Sequence, residues 1–328
     1  MTVHHRRQLL LAAMLAGALP GTALAQAAWP TAKPITLIVP YSAGGNMDFY
    51  ARLIASKLSE RLKQAIVIDN TTGAGGVVGV AKAVNAAPDG YTLVAAPDSV
   101  IALGQLINPT AYKFDPLKDL APVGMLATAP LVLVARRGLG VQSYADLVKL
   151  AKASPGKYTY ATSGVGTVLH LAMELLGQRS GITLTHVPYR GGAQIVSDLM
   201  ADQVDMAMLV GAGTIQYITS GRLNALGVTD ARRLDLLPQI PTFDEMVDFK
   251  GYVIVTWTGI FAPAGTPTAI VQHLNEQLDA VLKDPMVVAK LAEQGALPGS
   301  GSAEDLARLA QAEYLRNQQV VQSLNITK

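Results

Sequence analysis

What most constrains this chain is an alternation of apolar runs with small-residue loops, each loop passing into a helical pattern. Ile35 to Val39 is an apolar run stopped by Pro40. The loop Tyr41-Ser42-Ala43-Gly44-Gly45 follows, and then apolar positions at Met47, Tyr50, Ala51, Ile54, Leu58 and Leu62, the spacing of one helix face. A strand, a glycine loop and a helix in this order aim bare backbone N–H groups and the positive end of a helix dipole at one point. An anion is the natural occupant of that point. A plain strand-to-helix turn, with Asp48 as a first-turn acid, uses the same residues, and the residues alone leave the two readings level.

The unit recurs. Ile66–Ile68 reads as a second strand, followed by Gly73-Ala74-Gly75-Gly76 and a helix over 77–86; Pro88-Asp89-Gly90 turns the chain into a third strand, Tyr91–Ala96. Leu120–Ala127 and Leu131–Ala135 read as two strands around Pro130, and Tyr144–Ala153 as a helix capped by Ser143. Tyr158–Ala161, Leu184–Val187, Met206–Val210, Leu223–Thr229 and Tyr252–Ala262 read as further strands. The chain from Thr266 onward is helical, with Asp284-Pro285 and Ser302 opening two of its helices. Strands alternating with helices predict an α/β fold with parallel pairing. Residues 35–96 and 158–210 run through the same order of elements. Two such units, each with glycine loops at its strand ends, predict a cleft between two lobes.

Charge and composition remove other classes. The 26 basic and 24 acidic side chains are interspersed, with no basic run or basic-aromatic stripe, which argues against a nucleic-acid partner. Cysteine is absent, and none of the five histidines sits in a metal-binding pattern, so neither a metal nor a cofactor is expected. Residues 1–25 carry Arg6-Arg7, an apolar stretch from Gln8 to Leu19 and a terminal Ala23-Leu24-Ala25, the pattern of a cleaved secretory signal. The apolar stretch is shorter than the roughly 20 residues that span a bilayer. The expected mature chain is exported and soluble, with a bacterial periplasm as its compartment.

Several motifs carry alternatives. Gly73-Ala74-Gly75-Gly76-Val77-Val78-Gly79 resembles a dinucleotide loop, but it follows the second strand and lacks a strand-end acid about 20 residues on, so close helix packing is the better reading. Ser163-Gly164-Val165-Gly166-Thr167, with His170, is a second anion loop. An exported hydrolase with Ser163 as nucleophile and His170 or His186 as base is the competing class, although Ala161 breaks the G-x-S-x-G pattern. Pro188-Tyr189-Arg190-Gly191-Gly192-Ala193 is another small-residue helix start, in which Arg190 either pairs with a carboxylate bidentately or, the better reading, is a surface or interlobe residue. Ser99, at the end of the third strand, is placed to reach the cleft. Asp205 either steadies cleft loops or starts a strand.

Taken together, Trp29-Pro30, Pro40-Tyr41-Ser42-Ala43-Gly44-Gly45 with Asp48, Ala51-Arg52, Gly73-Ala74-Gly75-Gly76, Pro88-Asp89-Gly90-Tyr91-Thr92-Leu93, Ser163-Gly164-Val165-Gly166-Thr167 with His170-Leu171, and Val187-Pro188-Tyr189-Arg190-Gly191 resemble the Bug, or TctC-type, substrate-binding proteins of tripartite tricarboxylate transporters. The resemblance covers the mature chain. It implies a two-lobed, type II Venus-flytrap periplasmic-binding-protein fold with a hinge of crossing strands. One lobe would comprise 29–126 plus 230–328, the other 127–229. It further implies a non-enzymatic, monomeric receptor that captures a small organic carboxylate (a dicarboxylate, amino acid or aromatic acid) for membrane permease subunits or a sensor protein. The ligand would be gripped between Tyr41, Ser42, Ala43, Gly44, Gly45, Asn46 and Asp48 on one side and Ser163, Gly164, Gly166, Thr167 and His170 on the other. Gly191, Gly192, Ala193 and Asp205 would lie nearby, joined by Ser99 and Tyr189 from the reading above. The family commonly has proline where Ser42 stands, so Ser42 and Asn46 are where selectivity is expected to differ.

Overall fold

A computed structural model describes residues 29–211 and 214–324. The proposed signal segment lies outside the described residues. Ten strands form one continuous sheet. In chain order they are β1 (Ile35–Val39), β2 (Ile66–Asn70), β3 (Thr92–Pro97), β4 (Leu120–Arg136), β5 (Thr159–Thr162), β6 (Thr185–Pro188), β7 (Met206–Val210), β8 (Leu223–Val228), β9 (Val255–Pro263) and β10 (Leu297–Pro298). The main path runs β2-β1-β3-β9-β4-β7-β5-β6, with β8 and β10 also paired to β4. The helices are α1 (Asn46–Leu62), α2 (Val77–Val84), α3 (Gly104–Ile107), α4 (Tyr144–Ala153), α5 (Val168–Ser180), α6 (Gly192–Met200), α7 (Ile215–Thr219), α8 (Thr268–Leu282), α9 (Pro285–Ala292) and α10 (Ala303–Leu324).

The two ends of the sheet repeat one arrangement. β1 pairs in parallel with β2 and β3, and β5 pairs in parallel with β6 and β7. Apolar runs without polar alternation follow from burial on both faces. Leu37, Val39, Leu93 and Ala95 enter a core closed by Tyr50, Ile54 and Leu58 of α1 and Leu274 and Leu278 of α8. Their neighbours Ile38, Val94 and Ala96 point the other way, onto Val80 and Ala83 of α2 and Leu306 and Ala310 of α10. The other end of the sheet has its own core, from Leu131 through Met208 to Phe243, Phe249 and Tyr252.

β4 joins the two ends. The sequence suggested two strands around Pro130; the structure has one strand of 17 residues. Pro130 sits where β4 changes partners, since its pairing with β9 ends at Pro130↔Val255 and its pairing with β7 begins at Leu131↔Val210. A residue without an N–H is tolerated at such a switch. The chain returns between the ends just before β9. Buried Thr229 ties both crossings together: its Oγ1 accepts from the Leu131 N–H at 2.9 Å and donates to the Ile254 carbonyl at 2.5 Å. Its backbone accepts from Ile254 N and donates to the Leu131 carbonyl. Thr229→Val keeps shape and removes both hydroxyl bonds, leaving a buried donor unpaired. The expected cost is about 1–3 kcal/mol, a fall in Tm of roughly 2–10 °C for a chain of this size. Scanning calorimetry of the two proteins checks it, and an unchanged Tm contradicts this role for Thr229.

Candidate functional site

The carboxyl ends of β1, β3, β5 and β6 meet between the two halves of the molecule, where open α/β sheets place their ligands. The cavity there is about 170 Å³, smaller than the roughly 300–1,000 Å³ of drug-sized pockets, so it suits a small ligand. Its floor is set by strand register. Ala127 pairs with Thr258 and Ala129 with Thr256 across β4 and β9, and Pro97 of β3 flanks Thr258. All five line the cavity.

Two helices open onto it from opposite sides. α1 begins after Gly45 and α6 after Gly191, and neither start has a side-chain cap. Gly44, Gly45, Asn46 and Met47 line the cavity from one side, Gly192 and Ala193 from the other. The starts face each other closely: an ideal Cβ on Gly45 would lie 3.9 Å from Gly192 N and 4.0 Å from Ala193 N. Uncapped first turns leave backbone N–H groups without intrahelical acceptors, with the positive dipole ends behind them. Ser42 stands between them, and its buried Oγ has no hydrogen-bond partner. Among the described lining residues there is no lysine or arginine.

Asp48 lines the cavity but is spent on the protein. Its Oδ2 accepts from Gly44 N at 2.9 Å and Arg52 Nε at 2.9 Å, and its Oδ1 from Asn70 Nδ2 at 3.0 Å. Burial alone would raise its pKa; the bonds from Arg52, Gly44 and Asn70 outweigh that and lower it. Asp48 therefore shapes the glycine loop from behind. Asn70 extends the brace by donating to the Tyr41 carbonyl at 3.1 Å. The Tyr41 hydroxyl donates to the Gly75 carbonyl at 2.9 Å. Burial, with Asp98 nearby, pushes the Tyr41 phenol up.

Ser163 also lines the cavity. Gly164 and Gly166 face the other half instead: a Cβ on Gly164 would fall 2.8 Å from Gly75 Cα, and one on Gly166 3.6 Å from Gly104 Cα. The Gly73–Gly79 stretch is thus a packing device, with Gly75 against the Gly164 loop and Gly79 against Pro40. α5 starts nearby, but its first turn is largely occupied. Ser99 Oγ accepts from Val168 N at 3.0 Å across the cleft, and Thr167 Oγ1 accepts from His170 N at 3.4 Å. Behind Ser99, buried Asp98 accepts from Ser99 N at 2.6 Å and Trp257 N at 3.3 Å. Burial pushes Asp98 up to about 7, against a hydrogen bond from Thr256 and with the charge of Glu313 adding to the rise.

Of the sequence-predicted residues, Tyr41, Ser42, Gly44, Gly45, Asn46, Asp48, Ser99, Ser163, Gly192 and Ala193 come together around the cavity. Ala43 is exposed at the loop tip and is not part of the lining. Gly191 presses on Ser42 from behind the α6 start. The Thr167 hydroxyl is taken up by its own loop, donating to the Gly164 carbonyl at 2.9 Å. His170 Nδ1 accepts from Gly166 N at 3.4 Å, and its ring stacks on His186 with centroids 4.4 Å apart. His186 Nε2 and Thr162 Oγ1 are 2.7 Å apart. Both imidazoles thus support the Ser163 loop from beneath. Tyr189 is not in the lining; its hydroxyl donates to Asp198 at 2.9 Å. Asp205 lies at the far end of β7, about 13 Å of strand from Leu209. There its carboxylate accepts from Arg136 Nε at 2.9 Å and Thr159 N at 2.8 Å, so it starts a strand and does not approach the cleft.

The sequence reading missed Met47, Tyr50, Val168, Leu169, Val196, Leu209, Val210, Thr214, Gln216, Tyr217 and the floor residues. The alternation Ala127/Ala129 and Thr256/Thr258 was a usable signal, small or hydroxyl side chains at period two inside apolar runs.

A cleft between two sheet-based lobes, lined by uncapped helix starts, is that of a two-lobed solute-binding protein. The family model of the TctC, tripartite tricarboxylate transporter family receptor, matches residues 50–326. The protein of the tcbD-tcbE intergenic region of Pseudomonas sp. strain P51 is 37% identical over 289 residues, 88% of this chain and 85% of that one. The solved structure of Rhodopseudomonas palustris Rpa4515 with adipate has a TM-score of 0.87 at 35% identity, covering 90% of this chain and 98% of that one. That of MatC from the same organism with bound malate has a TM-score of 0.85 at 29% identity, covering 89% of this chain and 100% of that one. The chain belongs to the tripartite tricarboxylate transporter receptor family.

Proposed function

We propose that the protein captures a small organic carboxylate between the α1 and α6 starts and delivers it to the permease of a tripartite transporter or to a sensor protein. The observation that carries this reading is the facing pair of uncapped helix N-termini, with the unpartnered Ser42 hydroxyl between them and no basic side chain among the described lining residues. Such a site offers hydrogen bonds and positive potential to a small anion without a compensating cation. The adipate and malate held by the two solved relatives are ligands of this chemistry. The mature protein acts in the periplasm as a monomer after cleavage behind Ala25, and it makes and breaks no bond. The family supports export, and among the described residues no helix is long and apolar enough to cross a membrane.

The lobes we assign are residues 29–129 with 255–324, and 130–254. This moves 230–254 from the first lobe of the sequence reading to the second, because Leu237, Phe243, Phe249 and Tyr252 pack into the second core, and 127–129 from the second to the first, where Ala127 and Ala129 are core residues. Contacts across the cleft between Gly75 and Gly164, and between Ser42 and Gly191, mark the surfaces that meet on closure. Ligand then favours the closed arrangement by its higher affinity for it.

Protein purified, unfolded to release bound material and refolded is expected to gain thermal stability with at least one acid in a panel of mono- and dicarboxylates. A ligand at 100 times its Kd adds about 2.7 kcal/mol. No shift with any acid contradicts the proposal. Hydrolysis of nitrophenyl esters that disappears in Ser163→Ala would establish the serine-hydrolase alternative in its place; the expected rate is that of buffer.

A further inference from the structure

Beside the carboxylate seat lies a buried acid that the clamp does not use. Asp98 is 4% exposed, and among the described residues no cation is within ion-pair distance of it. Its oxygens accept from neutral groups only: Ser99 N at 2.6 Å and Ser99 Oγ at 3.2 Å, Trp257 N at 3.3 Å, and the Thr256 hydroxyl. The titratable and charged groups around it are Glu313 of α10, Tyr41 of the first loop, and Arg316 of α10 and Arg179 of α5, which border the cavity behind it. Arg316 is paired with Glu313. Burial and the Glu313 charge both disfavour an ionised Asp98.

A bound carboxylate adds another like charge. Pro97 and Ser99, on either side of Asp98, line the ligand cavity, and Tyr41, on which the Asp98 charge acts, adjoins Ser42. The hydroxyl of Ser99 is also committed by the ionised acid. It donates to Asp98 Oδ1, and its oxygen accepts from Val168 N of the other lobe at 3.0 Å. A proton on Asp98 reverses the first of these bonds. The acid O–H then donates to Ser99 Oγ, and Ser99 keeps its own proton for an oxygen in the cavity it lines.

We propose that the ligand is captured together with a proton: Asp98 is protonated in the liganded protein, and the Ser99 hydroxyl, turned by it, donates to an oxygen of the bound acid. Ser99 makes the contact and Asp98 is its positioning residue. This deepens the carboxylate reading and rests on it.

Titration calorimetry of the refolded protein counts the proton directly. The probes are adipate, malate, succinate, hexanoate and benzoate, each titrated at pH 8.5 in two buffers of different ionisation enthalpy. Carboxylates are ionised at that pH in solution. Free Asp98, raised to about 7, is ionised there as well, so binding is expected to take up close to one proton. At pH 6 free Asp98 already holds the proton, and the uptake is expected to fall toward zero. Affinity is correspondingly expected to weaken by up to about tenfold per unit as pH rises above 7. Asp98→Asn cannot titrate and is expected to bind without proton uptake and with an affinity level from pH 6 to pH 8.5. Ser99→Ala is expected to lose about threefold to tenfold in affinity at pH 6, the worth of one neutral hydrogen bond. The wild-type proton count needs no variant. An acid that binds at pH 8.5 without taking up a proton, an uptake undiminished in Asp98→Asn, or an affinity unmoved by Ser99→Ala at pH 6 overturns the proposal and leaves carboxylate capture intact. Silence from every probe overturns both.

Discussion

Gly191→Ala is expected to weaken carboxylate binding by at least about tenfold, 1.4 kcal/mol, while leaving the unfolding temperature of the ligand-free protein within about 2 °C, less than 1 kcal/mol for a domain of this size. Gly191 has φ 168° and ψ 167°, extended backbone open to any residue, so the substitution brings no local strain. A Cβ there would run into the Ser42 hydroxyl and approach Ser42 N at 3.3 Å, across the cleft from its own lobe. The clash exists only when the lobes meet. Apparent affinity scales with the population of the binding-competent form, so a substitution that disfavours closure is read in Kd and not in Tm. Gly164→Ala is a poorer probe, because φ 130° strains any side chain at that position whether or not the lobes close. Calorimetric titration and a thermal melt of Gly191→Ala check the prediction together. Unchanged affinity would place the closing surface elsewhere.

Asp48→Asn is expected to lower stability at neutral pH by about 1.5–3 kcal/mol, the range for hydrogen bonds to a charged group. The carboxylate accepts from Gly44 of the first loop, Arg52 of α1 and Asn70 at the end of β2; the amide retains acceptance at one oxygen only. The wild-type contribution also depends on pH. The folded pKa of Asp48 lies below its ordinary value, so the carboxylate binds its proton less readily when folded than when unfolded. Its stabilisation is therefore complete above the ordinary carboxylate range and is lost as pH falls through the depressed folded value. The difference between wild type and Asp48→Asn should be largest at pH 7 and shrink toward pH 3, measured by urea unfolding at each pH. A difference that is constant with pH would show that ionised Asp48 does not hold the loop.

How far the sequence carried the site follows from which side chains report local structure and which report the arrangement of lobes. Gly44-Gly45 and Gly191-Gly192 were legible because a glycine at a strand-to-helix junction states a local backbone requirement. The repeated order of elements in 35–96 and 158–210 was legible for the same reason and recurs as two parallel sheet units. Asp205 was misplaced because an acid before an apolar run reads alike at either end of a strand; the cleft lies at the Val210 end. The opposing jaw was also assigned to the Ser163–Thr167 loop on resemblance. The structure sets the α6 start directly opposite Gly45, while the α5 start bonds to Ser99. That choice between two similar glycine loops is made by packing across the cleft, which no local pattern records. Ala127, Ala129, Thr256 and Thr258 became a floor only through the register of β4 on β9.

The central claim is that a carboxylate is held by the α1 and α6 starts with no cationic side chain. A crystal structure of the protein with the tightest-binding acid of the panel tests it most directly. One carboxylate oxygen is predicted at hydrogen-bonding distance, roughly 2.7–3.1 Å, from Ser42 Oγ, and the carboxylate within reach of the first backbone N–H groups of α6. A carboxylate seated against Lys or Arg, or on the Ser163 loop without contact to Ser42 or α6, would contradict it.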